Sequence, residues 1–422
     1  MLDLQAYLDR SREYLQETLL PFWMQRSPDP EYGGFLTWFG ADGEPSGETT
    51  KTFLSQIRML YVWSLAHRNG YGGGRCAELA RDAADFLLEH YWDDECGGWF
   101  WIADRAGKPT CLDKVGYGQC FGMYAFAEYF LATGDPRGRE AMERSDAAVV
   151  RNMADTHHGG YLEIMNRDWQ PPPGARSGGD RKSFDVHMHM MEALTSVYEV
   201  TGHSVHRHRL LEVIDLIESK MLDSQYRTGI MQFALDFTPL GHIQFDVAWG
   251  KDEKPEDGDA RPIDLTNYGH NVEYAWLLLH AFDVLGESRA SRGEQVRPIF
   301  DHCLRFGLDE QYGGVFIEGP MSQATTNHRK QFWQQAEVMI GMLDAWALFD
   351  DDRYLEGFRN VHDFVFDKLI CWRGGGEWYL LVDRDGTPIW DELGTGWKIC
   401  YHTVRGMVEV IRRLEAAIAS RT

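Results

Sequence analysis

Histidines recur at the starts of strongly apolar stretches: His187 and His189 in DVHMHMMEA, His270 in YGHNVEYA and His402 in KICYHTVRG. Imidazole titrates near neutrality and serves as acid or base, so histidines facing a neutral ligand suit removal and return of a proton. Comparable stretches carry other chemistry: Arg58 with Lys51 and Gln56, Tyr117 with Gln119, Asn271 and Glu273 beside His270, Trp333 with Gln334 and Glu337, and Trp397 ahead of His402. An arginine together with the positive ends of converging helices stabilises an anion such as an enediolate, formed when a proton leaves the carbon beside a carbonyl. That reaction needs no cofactor, and the aromatic planes suit sugar rings.

Each of these residues alone has a plainer reading. His187 or His189 could be a capping or hydrogen-bonded core histidine, Trp333 and Trp397 could be packing, and Arg58 could be a salt-bridged helix residue paired with Glu273 or Glu337. Convergence of six segments is what favours a catalytic cavity, because a purely structural core is poor in polar groups. The H-x-H of His187 and His189, with His270 and His402, could also offer nitrogens to zinc or another transition metal. Residues two apart diverge by about 200° around a helix, so at most one of the first pair faces a cavity, and no metal is expected.

The elements that position these groups are written in a sixfold repeat. A glycine pair, then aromatic or β-branched residues, then often a turn such as D-G, recurs from Glu31, Glu95, His157, Tyr226, Gln311 and Gly374, the fourth and fifth copies being degenerate. The copies lie ~60 to 85 residues apart, longer than the period of the usual solenoids. Each reads as a short β-hairpin. Between hairpins come two helical patterns, one amphipathic, as in Cys76 to Trp92, and one apolar nearly all round, as in Gly116 to Gly134. This predicts an all-α fold, an (α/α)6 barrel of six inner and six outer helices with short hairpins in the connecting loops, forming one domain over residues 1–422. The inner helices all run the same way, so their N-terminal turns meet at one mouth. Two polar connections, Gln170 to Ser183 and Gly250 to Pro262, lead into inner helices and are expected to be functional lids or disordered.

Composition narrows the ligand. A net charge of −23 repels nucleic acid and anionic membranes, so a neutral or cationic small molecule is expected. The first residues show neither a signal peptide nor an anchor, which points to the cytoplasm. The cysteines, seven with no C-x-x-C, read as buried hydrophobes. Nothing in the sequence addresses the oligomeric state.

The segments KSFDVHMHMMEALTSVYEVTG, YGHNVEYAWLLLHAFDVLG, YGQCFGMYAFAEYFLATGD, FWQQAEVMIGMLDA and KICYHTVRGMVEVIRRL resemble those of the cellobiose 2-epimerase and N-acylglucosamine 2-epimerase family. Most specific are H-x-H-x-x-E-A, G-H-N-x-E and W-K-x-x-Y-H, in family order. The resemblance implies cofactor-free inversion at C2 of a reducing sugar, with His270 and His402 as acid and base on opposite faces of C2. By the same resemblance His189 assists ring opening or holds sugar oxygens. Arg58 binds the C1 and C2 oxygens, and Glu273 orients a histidine or binds a hydroxyl. Tyr117, Trp333 and Trp397 resemble the family's sugar-contacting aromatics, and His187 and Glu337 join the expected substrate-binding set. Asp185 stands where the disaccharide enzymes usually carry Asn; it is either a charge near the reducing sugar or a helix N-cap. Mannose isomerases of the same fold are the alternative, although their G-H and Y-H contexts look less like this chain. Carbohydrate-cleaving enzymes on the same fold, and a non-catalytic sugar-binding protein, are further readings.

Overall fold

The computed structural model describes residues 3–243, 245 and 261–421. Six inner helices span Phe53–Arg68, Gly116–Thr133, Phe184–Thr201, Tyr268–Leu285, Phe332–Phe349 and Tyr401–Ala419. The intervening outer helices cover residues 4–26, 73–90, 136–152, 204–221, 289–307 and 352–369. The inner helices are buried around nearly their whole circumference, as their uniformly apolar sequences require. Each packs on the next, and the sixth packs back on the first, so the contacts run in a closed cycle. An outer helix lies against each inner helix, the first outer helix against the sixth inner one. None of the described helices is long and apolar enough to cross a membrane.

Turns at the far end of the inner helices are short. Gly134, Gly202 and Gly286 end three of them in the left-handed conformation, which costs glycine nothing. At the near end, Thr52, Ser183 and Asn267 cap three of the inner helices with side-chain oxygens.

Between each outer and the next inner helix comes a hairpin, and the hairpins lock neighbouring units together. Lys51–Thr52, just before the first inner helix, pairs antiparallel with Ile102–Ala103 of the second hairpin. The pattern repeats at Lys114–Val115, Arg181–Ser183, Leu265–Asn267 and Lys330–Gln331. A bridge between Phe39 and Gly394 completes the sixth junction, so the hairpin layer closes where the helix cycle closes.

Two further repeated interactions hold this layer. A buried lysine precedes five of the inner helices, and Lys51, Lys114, Lys182, Lys330 and Lys398 bond Asp29, Asp93, Asp155, Asp309 and Glu377 at 2.7–3.2 Å. In the fourth unit Thr266 takes the lysine's place, its hydroxyl donating to the Gly229 carbonyl at 2.9 Å. Five residues beyond this anchor, one side chain grips the hairpin backbone. Gln56 bonds both backbone groups of Phe35, Gln119 those of Trp99, and Gln335 those of Val315. His187 and Asn271 occupy the same place and accept from Tyr161 N and Gly229 N. The grip explains the second glycine of each pair: a Cβ at Gly34, Gly98, Gly160 or Gly314 would stand 2.5–3.0 Å from the gripping atom. The fifth hairpin, degenerate in sequence, keeps both anchor and grip; only the fourth loses its lysine.

The polar connection from Gln170 to Ser183 contains a short turn at Ala175–Ser177, and Arg176 reaches the cavity described below. Most of the second connection, residues 250–260, lies outside the described residues.

Candidate active site

The N-terminal turns of the inner helices surround a cavity of about 250 Å³ lined by Arg58, Tyr117, Asp185, His189, His270, Glu273, Trp333, Trp397 and His402, among others. Two expected residues are not in the lining. Both ring nitrogens of His187 are engaged by backbone: Nδ1 donates to the Ser183 carbonyl at 2.8 Å and Nε2 accepts from Tyr161 N. It is a hairpin grip, as the helical divergence of His187 from His189 foreshadows. Lys51, Gln56 and Gln119 are likewise structural. Glu337 lies beneath the cavity and touches what lines it, not the cavity itself.

His402 Nδ1 donates to Glu337 Oε1 at 2.7 Å, which fixes the tautomer and turns Nε2 toward the cavity. Burial pushes the His402 imidazole down to about 3 against the pull of Glu337, so the ring is a neutral base at pH 7. His270 is also lowered by burial, partly offset by the charge of Asp185. His189 differs. Burial would lower it, but its bond to Glu192 (2.8 Å) and the charges of Glu273, Glu192 and Asp185 raise it, leaving it the most proton-retentive of the three. The Trp333 indole touches two of these histidines, its centroid 4.6 Å from His270 and 5.6 Å from His402.

Asp185 is not the N-cap of its helix; Ser183 is. Its Oδ1 instead stands 3.3 Å from His270 Nε2 and 3.4 Å from His189 Nε2. Opposite, Arg58 is fully buried and donates to Tyr117 OH (2.7 Å) and to the Trp397 carbonyl (3.1 Å). Tyr117 and Trp397 stack with centroids 5.3 Å apart, and the guanidinium sits over Phe121 and Tyr401 at under 5 Å.

Beneath the cavity, Arg405 donates to Glu192 (2.8 Å), Glu273 (2.7 Å), Glu337 (2.7 Å) and Tyr401 OH (2.6 Å). Sequence reasoning passed over Arg405 and Glu192. A signal was present: Glu192, Glu273 and Arg405 each follow a site histidine by three residues, one helical turn deeper. Among the described residues the one group able to converge on an ion is Glu273, Glu337 and His402, and Arg405 Nη2 already bonds both of those carboxylates. Within this cluster, burial and the neighbouring Glu337 charge raise Glu273, whereas Arg405 and His402 hold Glu337 ionised despite its burial.

Residues 34–406 match the family model described as N-acylglucosamine 2-epimerase (GlcNAc 2-epimerase). The chain belongs to that family. The N-acylglucosamine 2-epimerase family therefore spans nearly the whole described fold, site included. Cellobiose 2-epimerase of Eubacterium cellulosolvens is 26% identical over 402 residues, which are 94% of this chain and 96% of that protein. The structure of cellobiose 2-epimerase from Bacillus thermoamylovorans B4167 matches with a TM-score of 0.86 at 26% identity, covering 97% of this chain and 100% of that one. D-mannose isomerase of Marinomonas mediterranea is 22% identical over 408 residues, 94% of this chain and 95% of that protein. The chain is thus an enzyme of a family whose named members epimerise or isomerise sugars.

Proposed function

We propose that this protein is an (α/α)6-barrel 2-epimerase that interconverts gluco- and manno-configured reducing sugars at C2. The observation that carries this reading is one cavity lined by two imidazoles of low proton affinity, His270 and His402, at 4.6 and 5.6 Å from the Trp333 ring, and by a fully buried arginine. The closed cycle of helix contacts supports the barrel.

In the proposed reaction the sugar enters as a hemiacetal. His189, whose proton affinity the neighbouring carboxylates raise, donates to the ring oxygen as the C1 hydroxyl passes its own proton to whichever of His270 and His402 later acts as the acid, which opens the ring to the aldehyde. One of His270 and His402 then takes the C2 proton through Nε2. The electron pair moves into the C1–C2 bond, and the negative charge collects on the C1 oxygen, where Arg58 and the positive ends of the inner helices stabilise it. The other histidine, which holds the proton taken from the C1 hydroxyl, returns it to the opposite face of C2, which inverts that carbon. On ring closure O1 recovers a proton from the first histidine, and the ring-oxygen proton goes back to His189. No electrons leave the sugar. Asp185 next to His270 stabilises the imidazolium formed when that ring takes a proton, as Glu337 does for His402.

The test is NMR of the enzyme in D2O with mannose, glucose, cellobiose and N-acetylglucosamine. Deuterium at C2 together with the aldose epimer is the expected result, and it names the sugar. A ketose as the main product would move the chain to the isomerase side of its family, as the resemblance to D-mannose isomerase allows. Exchange retained at full rate in His270→Asn or His402→Asn would rule out the two-histidine assignment.

A further inference from the structure

We propose that Glu163 is a specificity-determining residue of this cavity, its carboxyl hydrogen-bonding a hydroxyl of the bound sugar on the side away from His270 and His402. The inference rests on the carbohydrate reading above but concerns a residue outside the acid–base machinery. Glu163 belongs to the third hairpin; the next two residues, Ile164–Met165, pair with Lys114–Val115 ahead of the second inner helix. It therefore stands between the second and third inner helices, whereas His270 and His402 come from the fourth and sixth.

Three observations point to a ligand. Glu163 is 2% exposed and yet lines the cavity. Its Oε1 is buried with no hydrogen-bond partner among the described residues. An unmatched buried oxygen costs free energy that a bound hydroxyl would return. The charged and titratable groups acting on it are Asp185 and Lys182, from the segment entering the third inner helix, and the Cys120 thiol of the second. Lys182 is committed to Asp155 at 2.7 Å. Burial with Asp185 nearby pushes Glu163 up to about 8, so at neutral pH it is a carboxylic acid with a proton to donate. A neutral donor at this place favours an uncharged polyol over an anionic sugar, because a second negative charge beside Asp185 is repelled.

The test uses the full chain and an open-chain alditol, glucitol or cellobiitol, which lacks the carbonyl and cannot be epimerised. Binding is followed by tryptophan fluorescence, since Trp333, Trp390 and Trp397 line the cavity. Wild-type affinity is expected to weaken by about tenfold between pH 7 and 9 as the donor is lost. Glu163→Gln, which keeps a donor but cannot ionise, should flatten that profile. Glu163→Leu should bind about tenfold more weakly at pH 7 with unchanged thermal unfolding of the unliganded protein. Glu273 is also raised, so the comparison with Glu163→Gln is what isolates Glu163. An unaltered profile in Glu163→Gln, unaltered affinity in Glu163→Leu, or no alditol binding at all would overturn the proposal. C2 deuteration is measured separately. If alditols bind with the expected pH break but no sugar exchanges, the Glu163 site stands and epimerisation falls.

Discussion

His402 shows how a single imidazole is prepared for its task. Burial alone makes it a weak base, but Glu337 on Nδ1 holds the tautomer and would stabilise the ring once it accepts a proton. Glu337→Gln keeps an acceptor at that place but removes the charge. It should lower kcat by about 10²-fold while KM stays within about twofold, because the loss falls on the transition state. Steady-state kinetics would decide, and an unchanged kcat would show that Glu337 only packs. Much of this was legible in the sequence. His189, His270 and His402 were picked out by type and by position at the starts of apolar stretches. Arg405 was not, because its importance lies in three carboxylates that approach from three other helices; the sequence carries only the three-residue spacing from each histidine, and that spacing does not say which residues meet. His187 was misread for the same reason: its partner, Tyr161 N, is a backbone group 26 residues away.

At the scale of elements, the hairpins read in the sequence as turns are also joints. The residue before the helix pairs with the next unit's strand, the anchor lysine ties it to a carboxylate one hairpin back, and the gripping amide sits a turn later. Lys398 and Glu377 form one such anchor, both fully buried. Lys398→Met would leave the Glu377 carboxylate without its cation and should destabilise the protein by about 3–5 kcal/mol. Urea unfolding measures this, and a change below about 1 kcal/mol would mean the anchor is not needed. The glycine pairs were legible because glycine's tolerance of positive φ is a property of the residue itself. The anchors were not, since a lone lysine in a sequence reads as surface. The fifth hairpin is degenerate in its repeat pattern, but Asp309, Lys330 and Gln335 hold it as their counterparts hold the others.

For the whole molecule, repeated anchors mean repeated titration. Asp29 and Asp309 are held down to about 2 by their lysine and arginine partners, which outweigh burial, and Asp93 and Asp155 lie lower still. A carboxylate depressed by folding contributes stability that is complete above its unfolded value and lost as pH falls through its folded value. His187 and His242, pushed down to about 4 by burial, act in the same direction, since the unfolded chain takes up their protons first. The histidine contribution is lost between pH 6.5 and about 4, and the carboxylate contribution below that. The thermal midpoint should therefore begin to fall below pH 6.5 and fall steeply between about pH 4 and pH 2, and a flat midpoint over the lower range would show that the anchors are not ionic. The sixfold period gave the twelve helices and their alternation. Closure could not be read from it, because it depends on the Phe39–Gly394 bridge and on the sixth inner helix meeting the first.

Among the described residues, the fourth of the six joints alone is fastened by a hydroxyl, Thr266 on Gly229, where the others use an ammonium ion gripping a carboxylate. A ring with five rivets and one latch concentrates its give at the latch. That latch lies at the foot of the helix carrying His270 and Glu273. The part of the mouth that loosens at least cost is then the part holding His270, one of the two proposed proton-transfer groups. Ligand entry on the proposed reading is then expected at the fourth wall, and amide exchange at Gly229 and Thr266 no faster than at the other five joints would refute it.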